Sequence, residues 1–451
     1  MRLFQLTKGQ EIAKGEVLAT CRNPCRKDEN KFHLIFGPAG SGKSTLIQDI
    51  IKSLPTGSKI GFTAPTHKAA KVLYKMAFKL GITHLVDIKT IHSALGLKLE
   101  RKYGEEVITK PKFSVEHIYD YLFIDEGSML GDEILQFIIE CKSVKVIFVA
   151  DKAQIGPINS AKDEYGNTLI DATMADQLSK IFTEVTHTSE LMEIMRQAAD
   201  SPIIRLATKM REAQENLHLG FPQIVNDLDA DGNGIAVMPF DDWTAELVGK
   251  FRSQEFKDDP DFCRVVCYTN SAVDQVNDFV RQQLHGVGVA EFVDGEIIVA
   301  QESGGTPDSY KNAEEFIVVT SEKFFDDEYH VEVIELVLKS LDDGRIHNVR
   351  TVAKDYKLEF DRHIQQLADR ANSVDKISAK AFWREFWAAK DKFKSFKYVY
   401  ALTSHKSQGS TFTYTYIYSS DFINFGPTLA VLRLLYTATT RSELKTSFSL
   451  E

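Results

Sequence analysis

Short unbroken apolar runs alternate with amphipathic stretches through residues 1–180. The run "FHLIF" at 32–36 is too short for a helix and has no polar face, so it reads as a buried strand. "TLIQDIIKSL" follows after a glycine-rich loop, with Leu46, Ile47, Ile50, Ile51 and Leu54 spaced along one face of a helix. "KIGFTAPT" is a second strand and "KAAKVLYKMAFKL" a second helix, and "YLFIDE" and "VKVIFVAD" are further apolar runs that each end in an acid. Strands without a polar face are covered on both sides, as in a parallel sheet with helices on each face. Residues 1–180 are expected to form a doubly wound α/β domain.

The pattern is interrupted by "LKLERKYGEEVITKPKF", 97–113, a charged stretch with a Tyr-Gly turn that reads as a small inserted hairpin. The region near 225–234 is loop-like, and "RVVCYTN" followed by "SAVDQVNDFVRQQL" starts a second α/β unit. That unit resumes at "YVYALTSHKSQGS", "YTYIYSS" and "LAVLRLLYTATTR", giving expected segments 181–285 and 400–451. The intervening residues 286–399 carry the strand-like runs "GEIIVAQ", "EEFIVVTS", "YHVEVIELVL" and "RTVAKDYKL" and then a helical tail, which suggests a small β module. In the tail, Phe382/Phe386 and Trp383/Trp387 recur at four-residue spacing among lysines, so one helix side stacks them. These rings suit packing of the module against the core; stacking on single-stranded bases is the alternative.

Composition changes this picture little. The chain has 451 residues, room for about three domains, and is 43% hydrophobic and 26% charged, an ordinary globular balance. No apolar run approaches the roughly 18 residues of a membrane span, and "MRLFQLTKGQE" lacks a signal peptide's apolar core, so a cytoplasmic protein is expected. Five cysteines at 21, 25, 141, 263 and 267 show no disulfide framework. Cys21/Cys25 and Cys263/Cys267 could halve a zinc site, but they are separated by three residues rather than two and lack a histidine pair. The net charge of −10 argues against a wholly basic surface. Basic clusters at Lys68, Lys71, Lys75 and Lys79, at Lys98, Arg101, Lys102, Lys110 and Lys112, and at Lys390, Lys392, Lys394 and Lys397 leave a basic groove possible; taken alone, each reads as a solvated face, so composition leaves the partner open.

The chemistry concentrates in "GPAGSGKST". Gly37, Pro38, Ala39, Gly40, Ser41, Gly42, Lys43, Ser44 and Thr45 lie between a strand and a helix, where backbone N–H groups can cradle phosphates. Lys43 would reach the β- and γ-phosphates and the Ser44 hydroxyl would ligate Mg²⁺. In "FIDE", Asp125 ends a strand and is placed to hold the same ion, and Glu126 beside it offers a general base for attacking water. The bland alternative is an N-cap pair for the following helix, "ILQFIIE". Gln154, after another strand end, could sense the γ-phosphate. Arg441 in "YTATTR", or Arg196 nearer the first domain, could complete the transition state for hydrolysis.

The ordered set of motifs resembles superfamily 1 helicases, more narrowly the Dda-type phage helicases, kin of the RecD-like branch; the resemblance runs from "LTKGQ" to "YTATTR". It implies two RecA-like P-loop domains, the first at 1–180 with a pin hairpin at about 97–113, the second at 181–285 and 400–451, with an SH3-like module and helices at 286–399. "LTKGQ" implies that Gln10 reads the adenine edge, and "ELMEIMR" implies Arg196 at the γ-phosphate. "APTHKAAKVL" and "KTIHSALGL" imply that Pro65, Thr66, His67, Thr90 and His92 lie along a nucleic-acid track. "YTNSAVDQVN", "TSHKSQGSTF" and "LYTATTRS" carry Asn270, Thr403, His405 and Lys406 to that track or its coupling to ATP, Gly409 to the nucleotide and Arg441 to the cleft. Tyr103, at or near the pin's tip, could stack on a base; an ordinary charged hairpin with an exposed tyrosine is the alternative. The third motif departs from the family, with Ala150-Asp151 in place of Gly-Asp and Gly156 where Arg or Pro often stands. The acidic "EKFFDDEYHVEVIE" matches no motif.

The expected activity is an ATP- and Mg²⁺-dependent DNA helicase, a monomer moving 5′ to 3′ on single-stranded DNA and opening forked or tailed duplexes. Its expected place is a bacterial host's cytoplasm, with a replication or single-strand-binding protein as a candidate partner. An RNA helicase, or a translocase that does not unwind, is the near alternative. A nucleotide-gated binding module is the distant one, and needs neither Glu126 nor Arg441.

Overall fold

Phe32–Phe36 lies inside a six-stranded, all-parallel sheet in the order Thr188–Glu190, Phe32–Phe36, Lys145–Ala150, Tyr121–Ile124, Ile60–Ala64 and Asp87–Thr90. This is a computed structural model and it describes residues 6–23, 31–109, 118–141, 143–157, 161–162, 168–169, 178–195, 200–304, 310–426 and 428–450. Two compact units compose it, one of Met1–Leu97, Pro111–Asp274 and Leu402–Glu451, the other of Lys98–Lys110 and Gln275–Ala401.

The first unit holds two lobes. In the first lobe, Ala13 and Val17 of helix Lys8–Arg22, Leu46, Ile47, Ile50 and Ile51 of helix Lys43–Ser53, and Ala69, Leu73 and Ala77 of helix His67–Lys79 pack on Ile35, Phe62, Phe123, Ile147 and Val149. The apolar spacing expected at residues 46–54 is this buried face. The second lobe's sheet runs Asp227–Leu228, Gly234–Pro239, Ser442–Leu450, Phe412–Ile417, Cys263–Cys267, with Ala401–Thr403 at the edge. Gly234–Pro239, Ser442–Leu450, Phe412–Ile417 and Cys263–Cys267 pair in parallel, and Asp227–Leu228, in the stretch expected to be loop, pairs antiparallel. Both lobes are RecA-like sheets of the expected class. Parallel sheets of this kind place their sites beyond the carboxyl ends of the strands.

One loop crosses between the lobes. Ala153 and Ile155, just after strand Lys145–Ala150 of the first lobe, are buried in the second lobe's core with Ile203, Met210, Leu434 and Ala438. Gly409 of the second lobe lies against the first turn of helix His67–Lys79: a Cβ built on it would fall 2.5 Å from that of Ala69, and its φ is +70°.

Cys263 and Cys267 bound a fully buried strand. Burial holds both thiols well above their ordinary value and pushes Cys21 up to about 12, so none of the three is a ready thiolate ligand for zinc. Cys25 lies outside the described residues.

The second unit is built on a five-stranded antiparallel sheet ordered Ile346–Val352, Val331–Ser340, Glu315–Asp326, Ile297–Ala300, Phe396–Tyr398. The run "RTVAKDYKL", expected to be strand, is strand only to Val352; a short turn at Lys354–Tyr356 then leads into helix Lys357–Ser373. Alternation ends there, and Phe360, Ile364 and Leu367 take up helical spacing against Val331 and Val333. The acidic stretch is the hairpin between two strands. Asp326 accepts the N–H groups of Glu328 and Tyr329 at 3.1 Å each and pairs with Lys392 at 2.8 Å.

Strands Lys98–Lys102 and Glu105–Thr109 form the expected hairpin, with Lys102 opposite Glu105; residues 110–113, including Lys110 and Lys112, lie outside the described residues. Tyr103 sits in its turn at φ 55° and is 63% exposed. The hairpin packs within the second unit. Arg101 grips Asp391 with two bonds of 2.6 and 2.7 Å and lies 4.4 Å over the Trp387 ring, and Gly104 abuts Trp383 so closely that a side chain would collide. Phe386 is core, and Phe382, Trp383 and Trp387 are half-buried around it.

Gly409→Ala is expected to lower the stability of the first unit by about 1–3 kcal/mol, because it adds both a left-handed side-chain residue and an overlap with Ala69; the urea midpoint of the first unfolding transition measures this.

Candidate active site and strand track

The phosphate loop is shaped by its glycines. Gly40 and Gly42 adopt φ of 79° and 76°, a region open to glycine, and a Cβ on Gly37 would lie 2.5 Å from the Leu191 carbonyl. Lys43 donates to the Gly37 and Pro38 carbonyls at 2.6 and 2.9 Å, which holds its ammonium against the loop. Ser44 is exposed on the first turn of the helix and Thr45 is half-buried.

Gln10 braces this loop. It is 1% exposed. Its Oε1 accepts from Thr7 N–H at 3.0 Å in a capping box, and its amide donates to the Ser41 and Gly42 carbonyls at 3.2 and 3.3 Å. The residue expected at an adenine edge is thus committed in this structure to loop backbone. Met195 N–H donates to the Gly40 carbonyl at 2.9 Å, bringing the chain to the loop. Arg196, the next residue, lies outside the described residues.

Asp125 and Glu126 follow strand Tyr121–Ile124. The helix Asp132–Glu140 is capped at Gly131, so neither carboxylate serves as its cap. Glu126 has φ 52°, rare for a residue with a side chain, and strain of this kind gathers at functional sites. Its Oε1 lies 3.5 Å from Arg441 Nη1. With the Gln154 amide oriented to satisfy both neighbours, it donates to Glu126 Oε2 at 2.9 Å and accepts from Arg441 Nη2 at 3.1 Å. Arg441 is 6% exposed and also donates to the Thr437 carbonyl at 3.1 Å. Residues from three separate motifs, one of them in the opposite lobe, therefore meet at one point.

Asp125 accepts from Glu126 N–H at 2.9 Å. Burial first, and then the Glu126 charge, push its carboxyl up to about 7, against the pull of Lys43 and Arg441. Such a carboxylate lacks enough neighbouring positive charge to ionise at its ordinary value, which suits a residue that receives a cation.

The expected track residues share one local design. Thr66, Thr90 and Thr403 each cap the helix after a strand, accepting from Ala69, Ser93 and Lys406 N–H at 3.2, 3.3 and 3.3 Å. Each hydroxyl oxygen accepts from helix backbone, with Thr90 and Thr403 buried and Thr66 half-buried. The neighbours carry the accessible surface: His67, Lys406 and Asn270 are exposed, and Pro65, His92 and His405 half-buried. Burial holds His92 and His405 below the ordinary imidazole value, with Glu133 opposing it at His92, so both offer neutral rings near pH 7.

Sequence reading missed Tyr436 and Asp421. The Tyr436 hydroxyl donates to Asp151 Oδ2 at 2.7 Å and accepts from Ala39 N–H at 3.1 Å. Asp421 accepts from Tyr268 N–H, Thr269 N–H and the Thr269 hydroxyl at 2.7, 2.8 and 2.9 Å, fixing the turn that precedes Asn270. Tyr436 lies within a quoted motif, so its position was visible though its partners were not. No local signal marks Asp421.

Three families match in order along the chain: residues 19–223 match an AAA domain, 308–398 the Dda helicase SH3 domain, and 398–446 the UvrD-like helicase C-terminal domain. The chain is 28% identical over 474 aligned residues to the ATP-dependent DNA helicase dda of Enterobacteria phage T4, covering 98% of each. Over nearly its whole length the chain is thus similar to superfamily 1 DNA helicases of the Dda type. The chain is also 32% identical over 149 residues to the RecBCD enzyme subunit RecD of Buchnera aphidicola, covering 29% of this chain and 24% of that protein. A solved Pif1 helicase from Bacteroides, in complex with ADP-AlF3 and ssDNA, aligns at 17% identity and TM-score 0.49 over 99% of this chain and 93% of that one. The chain has no helix among its described residues that is long and apolar enough to cross a membrane.

Folding raises Asp125 from 3.8 toward 7, so the folded ligand-free protein holds a proton that the unfolded chain releases, and this group's contribution falls as pH rises through that window. Asp125→Asn removes the fall. Its melting temperature relative to wild type is expected to be higher at pH 8 than at pH 5, measured by thermal melts without nucleotide.

Proposed function

We propose that the helicase hydrolyses ATP between its two RecA-like lobes to move 5′ to 3′ along single-stranded DNA and to separate duplex strands. The meeting of Glu126, Gln154 and Arg441 across the two lobes carries this reading. A storage switch or passive binding module has no use for an arginine delivered from a second lobe to a carboxylate beside the phosphate loop.

In this reading the loop Gly37–Thr45 binds the phosphates, and Lys43 exchanges its bonds to the loop carbonyls for phosphate oxygens. Glu126 accepts the proton of the attacking water, and Gln154 orients that water while Arg441 stabilises charge on the γ-phosphate oxygens. Ser44, exposed on the first helical turn, and Asp125, whose raised carboxyl suits a cation, would hold Mg²⁺; when bound, that ion neutralises phosphate charge. Arg196 completes the set on the family resemblance alone.

The substrate is single-stranded DNA and forked or tailed duplex, which the activity of the phage relative supports. The capped turns at Thr66, Thr90 and Thr403 come from both lobes and present His67, His92, His405 and Lys406, so opening and closing of the cleft changes the spacing of two grips on one strand. The hairpin with Tyr103 at its turn acts as the wedge, stiffened by Arg101 on Asp391 and Trp387. The protein works as a monomer in the cytoplasm of a bacterial host.

ATP turnover with and without single-stranded DNA tests the core. Lys43→Ala and Glu126→Gln are expected to abolish at least ~99% of a DNA-stimulated wild-type rate; absence of stimulation in wild type would remove the motor. Unwinding of partial duplexes is expected with a 5′ tail, and success with a 3′ tail alone would reverse the direction.

Arg101→Ala is expected to keep DNA-stimulated hydrolysis and to lower strand separation severalfold, read by unwinding and ATPase assays on the same preparation.

A further inference from the structure

Tyr436 is 1% exposed and sits on helix Leu429–Thr439 of the second lobe, the helix that leads directly into Arg441. A buried tyrosine needs one hydrogen bond to satisfy its hydroxyl. This one makes two, to opposite kinds of group: it donates to Asp151 and accepts from Ala39 in the phosphate loop. Both partners belong to the first lobe.

Asp151 passes the contact on. Its Oδ1 accepts from Ala153 N–H at 3.0 Å and its carbonyl accepts from Gln154 N–H at 3.3 Å, so the carboxylate that Tyr436 holds shapes the turn carrying Gln154. The same helix grips that turn again one residue on, where the Thr437 hydroxyl accepts from Ile155 N–H at 3.3 Å, and Gln408 donates to the Ile155 carbonyl at 2.9 Å. Ile155 is 0% exposed inside the second lobe's core. The Gln154 side chain then bridges Glu126 and Arg441. Arg441 is itself tied back to the Thr437 carbonyl.

We propose that Tyr436 is a positioning residue for hydrolysis: through Asp151 it sets Gln154 against Glu126 and Arg441, and through Ala39 it registers that setting to the phosphate loop. Displacement of the second lobe cannot leave the γ-phosphate side of the site unchanged, because the helix that moves is bonded to the turn that carries Gln154. A phenylalanine fills the same volume but can neither donate to Asp151 nor accept from Ala39, so packing persists while orientation is lost.

The inference rests on the ATPase reading above. Its test compares wild type, Tyr436→Phe, Gln154→Ala and the double variant in steady-state ATP hydrolysis with saturating single-stranded DNA, with ADP affinity and thermal melts on the same preparations. Tyr436→Phe is expected to lower kcat by ~10-fold or more while KM for ATP and the Kd for ADP stay within about threefold of wild type, and the double variant is expected to be no slower than Gln154→Ala alone. A wild-type kcat with only a lowered Tm would make the hydroxyl structural and overturn the assignment. So would a raised KM at unchanged kcat, or losses that multiply in the double variant. If wild type shows no DNA-stimulated hydrolysis, the functional reading falls and takes this inference with it; if wild type is stimulated and Tyr436→Phe matches it, the inference alone falls.

Discussion

The buried guanidinium of Arg441 is the constraint around which the first unit is organised. A cation 6% exposed is costly unless its partners are near and well placed. Its own lobe supplies the Thr437 and Ser410 carbonyls, and the other lobe supplies the Glu126 carboxylate and the Gln154 amide. Neither lobe satisfies the group alone. The turn after Lys145–Ala150 answers the same need from the other direction, sending Ala153 and Ile155 into the second lobe's core. Charge pairing and apolar burial thus converge on the place where the transferred phosphate is expected.

In the proposed function, this arrangement links catalysis to motion through ordinary packing. Gly409 lets the second lobe approach the first turn of helix His67–Lys79, next to Thr66 and His67, while Arg441 of the same lobe reaches Glu126. The capped threonines hold their turns rigid by spending their hydroxyls on backbone N–H groups. In the proposed function, a change in the cleft would reach the expected track as displacement of stiff turns.

In the second unit, a hairpin drawn from the first lobe's sequence packs beside the helical tail of the inserted module. Half-buried Trp383 and Trp387 receive Gly104 and Arg101, joining planar stacking to a bidentate ion pair. The aromatic spacing at 382–387 reads from sequence as packing of the module against the core; Phe386 lies in the module's own apolar cluster, with Val331, Val333 and Phe360. That two of the rings also seat the hairpin depends on partners more than 270 residues away in the chain.

The sequence by itself determined the two sheets, the phosphate loop, the carboxylate pair and the order of the family's motifs. Each is a local matter of apolar period, glycine torsion freedom or residue spacing, and local physics is what a linear string records. Tertiary structure decided what those residues touch. Gln10 turns its amide to the loop rather than outward, the threonines are caps, Glu126 takes a left-handed backbone and leaves the cap of helix Asp132–Glu140 to Gly131, and Tyr436 joins two loops about 285 and 397 residues distant. These are pairings between donors and acceptors far apart in the chain, where burial leaves few partners and geometry selects among them, and no spacing along the sequence encodes that selection.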